Sequence, residues 1–312
     1  MSKVLITGAA GFIGSHTVDA LLAEGHTVVG LDNFRTGRRE NLTAASKSPK
    51  FSLHEMDVTD GTAFHDAVAE HRPNAIIHLA ALVSVQESIA EPDLNYRLNV
   101  HATHVVAEAA RRNTIPRVVY ASSAAVYGRA DSSPIREESA KHPLSPYGWA
   151  KLASEGLLFS HAQTFGGAAV CLRYFNVYGE RQDPGSPYSG VITLFQKQLA
   201  VGAPLRVFGD GEQTRDFIHV ADIARANALA ATLPGVETAA LNVCTGRPVS
   251  LNVLARILGE ASGRQPQIEH LPPRTGDIIH SCGDNAAARQ VLGFEAKTRL
   301  EEGLARYSAS GA

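Results

Sequence analysis

Three cysteines, two methionines and one tryptophan in 312 residues rule out several kinds of protein at once. Cys171, Cys244 and Cys282 are odd in number and include no C-x-x-C pair, so neither a disulfide framework nor a zinc knuckle is expected, and reduced structural thiols are. Charge of one sign is missing too. Lys and Arg total 29 against 31 Asp and Glu, a formal net charge of -2, so no global field recommends nucleic acid or an anionic membrane as partner. No apolar run has the length to cross a bilayer, and the first residues enter a strand without a signal-peptide pattern, from which a cytosolic protein is expected. The 13 histidines include no H-E-x-x-H. His101 and His104 share a predicted helix face but have no third ligand nearby, so no metal is expected. No internal repeat or low-complexity tract occurs.

What is present starts with TGAAGFIGS, residues 7 to 15. Val4, Leu5 and Ile6 before it form the kind of aliphatic run that a parallel sheet buries on both faces. After it Phe12, Ile13, Val18, Leu21 and Leu22 recur at helical spacing until Gly25, and Val28, Val29 and Leu31 make a second strand. In this βαβ unit Gly8 permits the tight turn, Gly11 lets backbone approach a pyrophosphate, and Gly14 lets helix and strand pack closely. Glycines alone also occur in ordinary turns. Asp32 adds a second signal, because a carboxylate at the end of the second strand accepts both hydroxyls of an adenine ribose and repels a 2′-phosphate. NAD is therefore expected rather than NADP. Arg35, Arg38 and Arg39 just beyond are either a seat for such a phosphate or a solvated basic loop.

The rest of the chain alternates strand with helix. FSLHEMDV reads as a third strand ending at Asp57, which meets the adenine or caps the helix over 60–70, although Thr59 or Asp60 suits the cap better. NAIIHLAA supplies a fourth strand whose small last residues let a cofactor lie against backbone. Helices are predicted over 95–112 and 145–165, and strands over 118–121 and 168–174. This is an α/β pattern, a doubly wound parallel Rossmann sheet with right-handed crossovers. Beyond Asn176 the pattern loosens into GERQDPGSPYSG and PPRTGD, long polar loops that look like a substrate lid. Between them DFIHVADIARANALAA and ALNVC return to buried patterning. Two domains are expected: residues 1–175 with 216–248 binding the dinucleotide, and 176–215 with 249–312 forming a smaller, discontinuous α/β substrate domain.

Strand five runs into ASSAAVYG, which puts Ser122 and Ser123 at a strand's C-terminal end, where open α/β sheets bind ligands. Serines there also cap helices. In SPYGWAK, Tyr147 and Lys151 stand four apart and share a helix face. An ammonium beside a phenol favours the phenolate, and a positive nicotinamide adds to this, so Tyr147 is expected to act as a base near neutral pH. A lone Y-x-x-x-K usually marks a surface pair. Together with the glycine turn, Asp32 and Ser123, it points to catalysis.

On these residues the chain resembles the extended short-chain dehydrogenases/reductases, and among them the nucleotide-sugar 4-epimerases of the UDP-glucose and UDP-N-acetylglucosamine type. TGAAGFIGS, LDNF, HLAA, SSAAVYG, SPYGWAK, RYFNVYG, GDGEQTRDFIHVADI and PPRTGDI stand in family order along nearly the whole chain. The resemblance implies a tightly held NAD touched by Gly8, Gly11, Phe12, Ile13, Gly14, Asp32, Asn33, Asp57, Val58, Ala80, Ala81 and Asn99, with Tyr147 and Lys151. It implies Ser123 as the hydroxyl that relays the substrate 4-OH, Tyr147 as base, and Lys151 as electrostatic partner and ribose contact. The UDP-sugar would meet Ser84, Ser123, Tyr147, Asn176, Val191, Arg215, Arg274, Asp277 and Ser281. Of these, Asn176 would hold the diphosphate, Arg215 and Arg274 would clamp it, Asp277 would accept from the uridine ribose, and Val191 would touch the base. Either arginine alone would read as a surface ion pair.

Two departures bear on ligands. Members confined to UDP-glucose and UDP-galactose commonly carry a bulky tyrosine at the position of Ser281, and the small side chain here implies room for a C2 N-acetyl group. Val83 stands where some epimerases have a lysine near the cofactor. The implied reaction is transient oxidation at C4, rotation of the 4-ketose about its diphosphate, and reduction on the other face. A 4,6-dehydratase or decarboxylase would place an acid after the strand-five serine, whereas this chain has Ala124 and Ala125. A UDP-glucuronate 4-epimerase would show a cationic sugar pocket. An NAD-sensing regulator without catalysis is the reading from another class, and the intact Ser123, Tyr147 and Lys151 argue against it. By the same resemblance, the helices over 95–112 and 145–165 would pair with their copies in a homodimer.

Overall fold

Aliphatic runs long enough to be buried on both faces dictate where the chain forms strands, and amphipathic stretches between them dictate the layers that cover the sheet. The computed structural model describes residues 1–130, 132–183, 190–273 and 278–309. The order is β1 (Lys3–Thr7), α1 (Phe12–Ala23), β2 (Thr27–Asp32), β3 (Phe51–Glu55), α2 (Gly61–His71) and β4 (Ala75–His78). Next come α3 (Val85–Ala90), α4 (Pro92–Asn95), a π-helical turn (Tyr96–His101), α5 (Ala102–Arg112), β5 (Arg117–Ser123), α6 (Pro146–Phe165) and β6 (Ala168–Tyr174). Then follow β7 (Asn176–Tyr178), α7 (Val191–Ala200), β8 (Leu205–Phe208), β9 (Thr214–His219), α8 (Val220–Thr232) and β10 (Ala239–Val243). The chain ends with β11 (Pro248–Ser250), α9 (Leu251–Ser262), β12 (Ile268–Leu271), β13 (His280–Ser281), α10 (Ala286–Leu292) and α11 (Leu300–Ala309).

Seven strands make one sheet in the order β10-β6-β5-β4-β1-β2-β3, and every pairing in it is parallel. Alternation along β1 feeds two cores. Val4 and Ile6 pack with Val18 and Leu21 of α1 and Ala226 of α8, while Leu5 packs on the opposite face with Phe64 of α2, Val106 of α5 and Leu158 of α6. The winding direction reverses between β1 and β4, and ligands of such sheets sit in the crevice at that reversal.

A second sheet is centred on β9, which pairs with β7, β11 and β13, and β8 pairs separately with β12. Ile192, Phe195, Val207, Phe217, Leu254 and Leu258 form its core. DFIH therefore joins the second sheet, and only α8 and β10 of the returning segment go back to the first. The predicted helix over 95–112 is interrupted: the six-residue π-helical turn precedes α5, and Asn99 within it donates to the Leu82 carbonyl at 3.0 Å and to Asn95 Oδ1 at 2.7 Å. All three cysteines are free and buried. Among the described residues no helix is long and apolar enough to cross a membrane.

Candidate active site

The turn from β1 into α1 requires glycine at two places. Gly8 has φ +71°, and a Cβ on Gly14 would lie 1.9 Å from the Gly8 carbonyl oxygen. Gly11 caps α1 with no side-chain hydrogen bond, and the first turn holds no acidic residue. Bare N–H groups and the positive end of the helix dipole therefore face the space in front, as an anion such as pyrophosphate requires.

Asp32, at the end of β2, is 7% exposed. Its Oδ2 accepts from the Ala10 N–H and its Oδ1 from the Phe34 N–H, both at 2.8 Å. Burial raises this carboxyl above its ordinary range, and the two N–H groups pull it back. Asn33 donates to Asp57 Oδ2 at 3.0 Å, and the Thr59 N–H and hydroxyl take Asp57 Oδ1. Asp57 thus holds the loop beside Asp32, while Asp60 caps α2. The arginines left open by the sequence are engaged: Arg35 pairs with Glu87, Arg38 with Asp183 at 2.8 Å, and Arg39 with Glu55 while lying over the Phe34 ring. A ribose diol suits this end better than a 2′-phosphate does.

Ser123, Tyr147 and Lys151 line the same crevice. Ser123 Oγ accepts from the Ala125 N–H at 3.1 Å, capping a short 3-10 turn, and lines the cavity with Tyr147. Ser145 caps α6 by accepting from the Gly148 N–H at 3.1 Å, which sets Tyr147 in the first turn. Lys151, 2% exposed, donates from Nζ to the Ala121 carbonyl at 2.8 Å. Its Nζ stands 4.8 Å from the Tyr120 ring centre and 5.7 Å from that of Tyr147.

Protonation departs from the sequence expectation. Burial draws Lys151 down to about 7, against the charge of Glu155, and burial raises Tyr147 by more than the nearby Ser123 hydroxyl offsets. Desolvation penalises the phenolate and the ammonium alike, and the second cation expected beside Tyr147 belongs to the nicotinamide, not to this chain.

Gly8, Gly11, Phe12, Ile13, Gly14, Asp32, Asn33, Asp57, Val58, Ala80, Ala81, Ser84, Ser123, Tyr147 and Lys151 all line one cavity of about 520 Å³, a volume in the usual range for ligand sites. Its bare helix end, buried strand-end carboxylate and reactive trio fit NAD. Asn99, expected at the cofactor, does not line the cavity; its side chain donates to the carbonyl of Leu82, which sits between the lining residues Ala81 and Val83. Tyr174, Phe175, Val177 and Glu87 also line the cavity and were not predicted; RYFNV at the end of β6 was the available signal for the first three. The expected UDP contacts gather in the second sheet. Asn176 registers with Phe217 and Ser281 with Arg215, and positions 215 and 217 share a strand face, so Asn176, Arg215 and Ser281 stand on one face. Val191 opens α7. Arg274 and Asp277 lie outside the described residues.

Fold and site together define an enzyme that binds a dinucleotide at a Rossmann crevice, with Ser123, Tyr147 and Lys151 lining the same cavity. A family model, the NAD dependent epimerase/dehydratase family, matches residues 4–244. A UDP-glucose 4-epimerase of Mycolicibacterium smegmatis is 40% identical over 305 residues, 97% of this chain and 96% of the relative. Among solved structures, UDP-N-acetylglucosamine 4-epimerase from Methanobrevibacter ruminantium in complex with UDP-N-acetylmuramic acid superposes with a TM-score of 0.92 at 35% identity, covering 99% of this chain and 97% of that one. The Thermus thermophilus UDP-glucose 4-epimerase complex with NAD gives 0.88 at 34% identity, covering 99% of each. This chain belongs to the NAD-dependent epimerase/dehydratase family.

Proposed function

We propose that this protein is an NAD-dependent UDP-hexose 4-epimerase that interconverts UDP-glucose and UDP-galactose, and UDP-N-acetylglucosamine and UDP-N-acetylgalactosamine as well. The observation that carries this reading is the Ser123–Tyr147–Lys151 trio opening onto the cavity that also holds the glycine turn and Asp32. When bound, NAD supplies the acceptor for the C4 hydride and its return, with no net redox change. Tyr147 takes the 4-OH proton as a phenolate, directly or through Ser123, and gives a proton back when the carbinol re-forms. Ser123 suits the relay because its oxygen is held by the Ala125 N–H and it lines the cavity with Tyr147. Lys151 supplies positive charge beneath both rings, and Ala124 and Ala125 offer no acid for eliminating water.

Residues 1–175 and 220–248 hold the cofactor in this reading, and 176–219 and 249–312 hold the nucleotide sugar, since β9 pairs with strands of the second sheet and α8 and β10 return to the first. Asn176, Arg215, Arg274 and Asp277 anchor UDP while the ketose turns about its diphosphate. Room for the N-acetyl group is supported by the small Ser281 beside Arg215, and by the likeness to an epimerase of UDP-N-acetylglucosamine. Exposed Tyr96, Ile89 and Trp149 support pairing of two copies through this helical layer, and buried free thiols suit a cytosolic location.

The test is to supply UDP-Glc, UDP-Gal, UDP-GlcNAc, UDP-GalNAc and UDP-GlcA separately and to resolve the C4 epimers by chromatography. Conversion of the first four with a C4 deuterium retained is expected. Loss of that label to solvent, or no epimer from any of them, would overturn the reading; a monomer by light scattering would remove the dimer.

A further inference from the structure

Two consecutive residues of β5 hold α6 through side chains spaced four apart: Ala121 accepts from Lys151 Nζ at 2.8 Å and Ser122 donates to Glu155 Oε1, while the next residue, Ser123, lines the cavity with Tyr147. Tyr147, Lys151 and Glu155 therefore lie along one helix face, with the lysine midway. Lys151 and Tyr147 belong to the reaction, whereas Glu155, 1% exposed, does not line the cavity and has no part in the chemistry described above.

A buried carboxylate needs partners, and Glu155 has a matched one. Arg173 on β6, 3% exposed, donates to Glu155 Oε1 through Nε at 2.9 Å and to Oε2 through Nη2 at 2.7 Å. Its Nη1 goes on to the Tyr127 hydroxyl at 2.9 Å and the Glu137 carbonyl at 3.0 Å. Tyr127 in turn donates to Asn242 Oδ1 on β10 at 2.6 Å. The network thus runs from α6 through β5 and β6 to β10. A buried ion pair is a poor device for stability alone, since apolar residues of the same volume do as well, but its fixed geometry specifies position.

We propose that Glu155 is a positioning residue for the epimerisation: locked by Arg173 and Ser122, it sets the depth and rotation of α6 on β5, and so where the Lys151 ammonium stands beneath Tyr147. This rests on the function proposed above. The Glu155 charge also opposes the burial that strips Lys151 of its proton. The other groups around Lys151 are Tyr120 on β5, His78 on β4, Cys171 on β6 and Tyr147 on its own helix, with Arg173 behind Glu155. None of these is an anion at neutral pH. Among the groups that favour the charged lysine Glu155 acts most strongly, ahead of Cys171.

The experiment compares the parent with Ser122→Ala, Glu155→Gln and the charge-balanced Glu155→Gln/Arg173→Gln double variant. Circular dichroism establishes which variants fold, and kcat, KM and the pH dependence of kcat are then measured. Ser122→Ala breaks one link without stranding a charge, so it reports even where Glu155→Gln fails to fold. In Ser122→Ala, and in each folded Glu155 variant, kcat should fall about tenfold or more with KM nearly unchanged. In the Glu155 variants the alkaline limb should also move down by about one pH unit, because the lysine then loses its proton earlier. A folded Ser122→Ala and double variant with the parent's kcat and alkaline limb would overturn the proposal. Absence of turnover in the parent would instead sink the function itself, so the two failures are told apart.

Discussion

Lys151 follows Tyr147 by one helical turn, and its Nζ lies 5.7 Å from the centre of the tyrosine ring. The lysine is tied to the Ala121 carbonyl, so it acts on the phenol through space and not by a shared hydrogen bond. Tyr147→Phe keeps the ring and removes the hydroxyl. We expect kcat to drop by about 10²–10⁴-fold, the usual worth of a general base, while NAD and UDP binding measured by calorimetry are retained. Near-normal turnover would remove Tyr147 from the reaction.

His78 should make the fold sensitive to acid. It is 1% exposed, its Nδ1 is bonded to the Thr7 hydroxyl at 2.7 Å, and burial, with Lys151 adding, lowers it to about 3 from 6.5. Between those values the unfolded chain takes up a proton that the folded one refuses, so stability present above about pH 6.5 is lost as pH falls toward about 3. The loss by about pH 5 is on the order of 2 kcal/mol. Urea unfolding at about pH 7 and 5 measures it, and His78→Gln should flatten the difference. An unchanged slope in that variant would count against a neutral buried imidazole.

The phosphate turn allows a harsher test. A methyl group at residue 14 would meet the Gly8 carbonyl at 1.9 Å, a backbone atom that cannot step aside. Gly14→Ala is expected to cost about 1–3 kcal/mol, and the purified protein should lose its bound nucleotide as judged by absorbance. A variant that keeps both stability and cofactor would show that the turn can open.

Ser281 is the position at which substrate choice should respond. Ser281→Tyr is expected to lower kcat/KM for the N-acetyl sugars at least about tenfold relative to UDP-glucose, since a pocket that loses volume rejects the larger substituent. Equal losses on both sugar types would place the N-acetyl group elsewhere.

Much of this architecture was legible because parallel strands buried on both faces leave an unmistakable run of aliphatic residues, as in Val4 to Ile6. That Ser123, Tyr147 and Lys151 would meet at one cavity was legible for a related reason, since helix spacing and strand ends fix which side chains converge. What the sequence did not carry depends on distant partners. The pairing of Arg35 with Glu87 joins residues far apart in the chain, and the Glu155–Arg173 fork looks like two ordinary charges until burial is known. β9 reads as a buried strand whichever sheet it enters. The π-helical turn at Tyr96–His101 hides within an ordinary helical pattern, and the raised Tyr147 follows from desolvation, which no local motif encodes.

The second sheet is built around β9, whose neighbours β11 and β13 come from late in the chain, whereas Ser123, Tyr147 and Lys151 come from its first half. In the proposed function, recognition of the nucleotide and chemistry on the pyranose are thus written largely in separate stretches of gene. A chimaera that exchanged only the late stretch with a paralogue should inherit a new base or sugar preference yet invert the same carbon, which makes this scaffold suited to recombination in blocks.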